Sequence, residues 1–282
     1  MYERFFGLRE QPFSLTPDPR FLWLSETHQE GLATLVYGIT RRKGFLLLTG
    51  EVGTGKTTLL RAALGQIPPQ TDTALILNTV GLTPIDLLKL ISAEFGIQHQ
   101  LDSAADFQIA LNRLLLDRLR SGRNTVLIID EAQNLDHETL EEVRLLSNLE
   151  TDTEKLMQIV LTGQPELLHK LASPNLRQLR QRIAVEHHME PLAYEDVQPY
   201  LAHRLEVAGG RYEEVFKPGV EPTFFAFSGG CPRLISLLAD RVLLSAYSKG
   251  LRPIDAAFVE LKAKGMGAIR QSGMVSDIRT AD

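Results

Sequence analysis

Gly50-Glu51-Val52-Gly53-Thr54-Gly55-Lys56-Thr57 is the stretch whose reading decides the fold. It has the form G-x-x-x-x-G-K-[ST], the Walker A pattern. A triphosphate needs a concave row of backbone N–H donors, and glycine lets the chain curl closely enough to supply them. Lys56 can reach β- and γ-phosphate oxygens as a flexible point charge, and Thr57 can place its hydroxyl on a bridging magnesium ion. With Thr58, these eight residues form the candidate nucleotide-binding set. Upstream, Phe45–Thr49 is a short apolar run that reads as a buried strand. Downstream, Thr57–Leu64 reads as a helix whose positive N-terminus would meet the phosphates. The plain alternative is a chance glycine-rich turn.

Working outward, Val126-Leu127-Ile128-Ile129 is apolar throughout, the mark of a parallel-sheet strand buried on both faces. Asp130 and Glu131 follow, at the strand end where open α/β sheets bind ligands. This is a Walker B pattern. Asp130 would hold Mg²⁺, and Glu131 would orient and deprotonate an attacking water. A turn-capping acidic pair is the other reading. The strand Met157–Thr162 ends in Gly163-Gln164-Pro165, so Gln164 and Thr162 are candidates to bond the γ-phosphate or the water. Arg177, Arg180 and Arg182 precede a strand at Ile183–Glu186. They could act as fingers on a neighbouring subunit's nucleotide, form surface ion pairs, or touch a nucleic-acid backbone. Lys56, Glu131, Gln164, Arg180 and Arg182 are thus the catalytic candidates, with Thr57 and Asp130 for the metal.

The spacing predicts further elements. Leu32, Leu35, Val36 and Ile39 recur at helical intervals over Thr27–Arg42, ending in the basic cluster Arg41-Arg42-Lys43. That cluster reads as a solvated helix end or as a phosphate or partner contact. Ala74–Asn78 reads as a strand. Thr83-Pro84 opens a helix with Leu87, Leu88, Ile91 and Phe95 inward. Another helix spans Ala104–Arg120, and Asp136 caps one running to about Leu149. Past Leu192 the pattern is helical: Tyr194–Ala208, Pro222–Ser228, Pro232–Tyr247 and Ile254–Lys264. Arg233, in the first turn of the third of these, could point back at the phosphates. Residues 1–26 interleave Phe5, Phe6, Phe13, Phe21 and Trp23 with Pro12, Pro17 and Pro19, which forbids a continuous helix. We expect an extended arm packed on the nucleotide domain, with or without contact to the adenine ring. The expected organisation is an arm (1–26), an α/β domain (27–191), a helical lid (192–264) and a disordered tail (265–282).

Composition narrows the class. With 44% apolar and 23% charged residues, the 282-residue chain can bury an ample core as a globular protein. No run approaches the roughly 18 apolar residues that cross a bilayer, and Met1–Phe6 lacks a signal-peptide pattern. The single Cys231 excludes an intrachain disulfide. Cytoplasmic location is the expectation, with peripheral membrane association open. A formal net charge of −5 provides no overall bias toward nucleic acid, although a local basic face stays open.

Taken in order, these features resemble an AAA+ ATPase. More narrowly, several stretches resemble the ExeA/GspA family of general secretion pathway ATPases. They are Phe6-Gly7-Leu8, Gln11-Pro12-Phe13, Pro17-Asp18-Pro19, the Walker A loop with Thr58, Ile129-Asp130-Glu131-Ala132-Gln133, Gly163-Gln164-Pro165-Glu166-Leu167 and Gly229-Gly230-Cys231-Pro232-Arg233. The resemblance implies a three-layer parallel α/β P-loop NTPase fold with a helical lid. It also implies an ATP- and Mg²⁺-dependent homo-oligomer with an envelope or secretion partner. Sensor 1 would fall near Gln164, and the sensor-2 arginine would be Arg233. Members acting in type II secretion carry a transmembrane helix and a peptidoglycan-binding domain after such a module. The 282 residues contain neither, so direct cell-wall binding is not expected. The module is similar also to transposition regulators of the TniB/TnsC kind, which bind DNA as ATP-loaded filaments. A slow nucleotide-gated switch is the third reading.

Overall fold

The computed structural model describes residues 1–77, 79–97, 103–152 and 154–276. Their contacts divide the chain into two compact units. One is an α/β unit of Glu26–Val52 and Leu59–Met189. The other is a helical unit of Met1–Ser25, Gly53–Thr58 and the chain from Glu190 onward.

The α/β unit is built on five strands: β1 (Phe45–Gly50), β2 (Thr71–Ile76), β3 (Asn124–Ile129), β4 (Gln158–Gly163) and β5 (Ile183–Met189). All pairings are parallel, in the order β2-β3-β4-β1-β5. The three inner strands are apolar runs buried on both faces, whereas β2 and β5, at the edges, mix buried with half-exposed positions. β2 starts and ends earlier than its sequence pattern indicated, and Asn78, the expected last residue, lies outside the described residues.

Helices clothe this sheet as the spacing predicts. α2 (Glu26–Thr40) buries Leu32, Leu35 and Ile39 and presses Gly31 and Gly38 toward β1 and β5. A Cβ on Gly38 would lie 2.3 Å from Leu46 Cδ2, so only glycine permits that approach. On the opposite face Leu47, Leu127, Ile129 and Leu161 share a core with α4 (Pro84–Phe95), α5 (Ala104–Arg120) and α6 (His137–Leu146). Thr83 and Asp86 form a capping box on α4, and Asp136 accepts the Thr139 N–H at 2.7 Å to start α6. Arg42, in the basic cluster, pairs with Glu154 at 3.0 Å.

α7 (Pro165–Leu171) and α8 (Arg177–Arg182) also belong to the α/β unit, and the helical unit contains α1 (Tyr2–Phe6), α9 (Val197–Val207), α10 (Tyr212–Val215), α11 (Glu221–Ser228), α12 (Pro232–Ser248) and α13 (Ala256–Ser276). The last runs through part of the stretch expected as a tail, and residues 277–282 lie outside the described residues. The arm corrects our expectation more sharply. Tyr2, Phe6, Leu8, Phe13 and Phe21 are buried in one core with Leu201, Phe224, Leu238 and Val242. The aromatics had to find a hydrophobic surface, and the helical unit supplies it. Burying Phe6 and Phe13 alone contributes about 2–3 kcal/mol each in transfer free energy. Arg204 pins the arm, donating to the Pro12 carbonyl at 2.6 Å and the Ser14 carbonyl at 2.9 Å. Its guanidinium also lies 5.2 Å from the Phe21 ring centre. Replacing Arg204 by Met keeps the stem but removes these bonds, a loss of about 2–4 kcal/mol. Limited trypsin digestion should then cut at Arg9 and Arg20 at least tenfold faster than in wild type.

Candidate nucleotide-binding site

The loop after β1 is shaped by backbone demands that glycine meets. Gly53 has φ +84° and Gly55 φ +103°, both in the left-handed half of conformational space. At Gly53 a Cβ would sit 2.7 Å from Arg233 Cβ and 2.9 Å from Cys231 Sγ. The Arg233 N–H donates to the Gly53 carbonyl at 3.2 Å. Thr54 and Lys56 are buried, Lys56 at 5% exposure, and α3 (Lys56–Leu64) begins at that lysine. Glu51 and Val52 are exposed, whereas Gly50 is buried and Thr57 and Thr58 are half-buried.

The turn that meets Gly53 is equally constrained. Gly229 closes α11 at φ +57°. Gly230, at φ +81°, has no room for a side chain, since a Cβ would lie 2.1 Å from the Leu192 carbonyl oxygen. Pro232 then opens α12, with Cys231 at its cap and Arg233 exposed in the first turn. Gly229, Gly230 and Pro232 thus each have a structural reason in addition to any role toward a ligand.

In the α/β unit, parallel register sends Gly50, Asp130 and Thr162 to one edge of the sheet. Leu47, Leu161 and Ile129 share a row, and Asp130 extends the pairing through its N–H to the Ile76 carbonyl at 2.9 Å. Asp130 is 4% exposed. Its Oδ1 accepts the Thr162 hydroxyl and the Glu131 N–H, the latter at 3.0 Å. Thr162, a sequence candidate for direct contact with phosphate or water, therefore commits its proton to the neighbouring carboxylate.

Glu131 adopts φ +52°, ψ +39°, uncommon for a residue with a side chain. The buried Thr79 hydroxyl fastens this turn by donating to the Glu131 carbonyl at 2.8 Å. Glu131 Oε2 accepts from Gln133 Nε2 at 2.5 Å and from Gln164 Nε2 at 3.2 Å. Gln164, expected from the sequence to face the γ-phosphate or the water, lies just past the end of β4 with its amide on the Glu131 carboxylate. Sequence reasoning assigned no role to Thr79, Gln133 or Lys170. Lys170 Nζ donates to the Gln133 and Leu135 carbonyls at 2.6 and 2.5 Å. No local pattern marks Thr79 or Lys170; Gln133 was visible only as the last residue of the stretch Ile129–Gln133 quoted for the family resemblance.

The arginines separate. Arg182 donates to the Arg144 carbonyl at 3.2 Å and to the Ser147 hydroxyl, satisfying the C-terminal end of α6. Half-buried and committed, it is a poor finger. Arg180, largely exposed, pairs with Glu186 at 2.7 Å, and Arg177 is exposed. Among the described residues no group of three or more His, Cys, Asp or Glu side chains could hold a metal ion. Magnesium binds through one or two carboxylates plus phosphate oxygens and keeps several waters, and Asp130 is one such buried carboxylate.

Comparison with known proteins agrees with this fold. The AAA domain family matches residues 39–171. The Aeropyrum pernix ORC2 protein, solved as ADPNP–ADP complexes, superposes with a TM-score of 0.70 at 18% identity, covering 90% of this chain and 71% of that one. The Walker-type ATPase of Pyrococcus abyssi superposes with a TM-score of 0.62 at 18% identity, covering 95% and 79%. Fold and sequence together make this chain an α/β P-loop protein of the AAA+ class. Within that class it belongs to the ExeA/GspA type: it is 47% identical to general secretion pathway protein A of Aeromonas hydrophila over 97% of its length. The chain spans 50% of that relative. Among the described residues no helix is long and apolar enough to cross a membrane.

The Gly53 geometry yields a direct test. Gly53→Ala should weaken binding of a fluorescent ATP analogue at least tenfold while leaving far-ultraviolet circular dichroism unchanged. Unchanged affinity would show that the loop tolerates a Cβ there.

Proposed function

We propose that this chain binds ATP with Mg²⁺ and hydrolyses it to ADP and phosphate, working as a homo-oligomer that drives assembly or operation of an envelope or secretion system. The observation that carries the reading is the edge shared by Gly50, Asp130 and Thr162, with Glu131 held beside them by two amides. Membership of the general secretion pathway protein A type supports the cellular role. Cytoplasmic location is part of the same proposal.

The residues fit a magnesium nucleotide. The Gly53 and Gly55 backbone and Lys56 would bind phosphate oxygens, and Thr57 and Asp130 would hold the ion. The bound ion would neutralise charge that develops on the phosphates. Asp130 is kept in one orientation by Thr162 and by its own turn. Glu131 orients a water and takes its proton, and Gln164 bonds the terminal phosphate. Arg180, released from Glu186, would stabilise charge on a neighbouring subunit's nucleotide. Arg233 would couple the helical unit to nucleotide state. Nothing in this scheme forms a covalent link to the protein; the chain contributes orientation and charge.

Two variants divide binding from chemistry. Lys56→Ala should abolish calorimetrically detectable ATP binding. Glu131→Gln should bind ATP within a few-fold of wild type but release phosphate about 10²- to 10⁴-fold more slowly, the usual contribution of a positioned base. Equal slow rates in wild type and Glu131→Gln would indicate a nucleotide-gated switch instead. For the cellular role, affinity capture from cells should recover envelope or secretion proteins; recovery of DNA-processing proteins alone would count against it.

A further inference from the structure

We infer that Gln133 is a positioning residue for Glu131, holding the carboxylate by one oxygen so that the other is presented to water. The inference rests on the ATPase reading above and gives one of the two amides on Glu131 a distinct role.

The geometry is specific. The Gln133 side chain has both ends of its amide engaged: Nε2 donates to Glu131 Oε2 at 2.5 Å, and Oε1 accepts the Gln164 N–H at 3.1 Å. Only one orientation of the amide satisfies both partners. A carboxylate can only accept and a backbone N–H can only donate, so the amide nitrogen must face Glu131. The side chain is also seated against the backbone. A Cβ on Gly163 would approach Gln133 Oε1 to 2.8 Å, so the glycine before Gln164 makes room for it. Lys170 fixes the Gln133 main chain through its carbonyl at 2.6 Å. The amide thus spans the ends of β3 and β4 in a seat shaped for it.

The two donors on Glu131 are unequal. Gln133 holds Oε2 at 2.5 Å, and Gln164 reaches the same oxygen at 3.2 Å. Among the described residues Glu131 Oε1 has no hydrogen-bond partner, which leaves it to accept a proton. Gln164 can exchange its longer contact for a phosphate oxygen without freeing the carboxylate, because Gln133 retains it. Exposing one oxygen while anchoring the other is what a general base at the end of a strained, left-handed turn needs. Without the anchor the side chain would sample several rotamers and lose its aim at the water.

The test uses Gln133→Met, which keeps the length of the side chain and removes both hydrogen bonds. In the 282-residue chain we expect kcat for ATP hydrolysis to fall about 10- to 100-fold, with KM and ATP affinity within twofold of wild type. In a Glu131→Gln background the same substitution should have less than a twofold effect, because the group it aims is already lost. A simple packing role would instead lower stability, and it would reduce activity equally in both backgrounds. Wild-type kcat in Gln133→Met, or an equal loss in both backgrounds, overturns the inference. The ATPase reading is judged separately by Lys56→Ala. If wild type and Lys56→Ala are both inactive, that reading falls and this inference with it. If Lys56→Ala alone is inactive and Gln133→Met is not, only this inference falls.

Discussion

A buried carboxylate governs the α/β unit. Asp130 sits at 4% exposure at the end of an apolar strand, where an ionised side chain without partners would cost several kcal/mol. The structure meets that cost with the Thr162 hydroxyl and the Glu131 N–H, both on the same oxygen. These bonds require β3 and β4 to be adjacent, parallel and in register, and they require Glu131 to turn through φ +52°. The contacts of this one carboxylate therefore depend on strand order and on the turn that aims Glu131. The Thr79 hydroxyl, donating to the Glu131 carbonyl, secures the turn that results.

The helical unit has its own fixed point, at two glycines distant in sequence. Gly53 and Gly230 both occupy left-handed conformations with no space for a Cβ, one against Cys231 and Arg233, the other against Leu192. The Arg233 N–H to Gly53 carbonyl bond joins the two regions. The glycine-rich loop and the first turn of α12 are thus locked by backbone, independent of the Arg233 charge. The arm adds to the same unit through its aromatic residues, with Arg204 bridging two arm carbonyls.

Much of the fold was legible in the sequence, since the relevant signals are local. Apolar runs of four to six residues set the inner strands. Helical spacing of Leu87, Leu88, Ile91 and Phe95, with the Thr83 cap, set α4. The placement of Lys56, Thr57, Asp130 and Glu131 was legible for the same reason: each follows a strand within a few residues.

What the sequence by itself determined, then, is which groups are available and on which element each lies, because side-chain periodicity and backbone preference act over one or two turns. Only the tertiary structure decided their partners. It assigned Thr162 to Asp130, Arg182 to the end of α6, the aromatic arm to the helical unit, and Gln133 to Glu131. Those pairings join residues whose meeting depends on strand order and close packing, and hydrogen-bond distances of about 3 Å leave no sequence pattern.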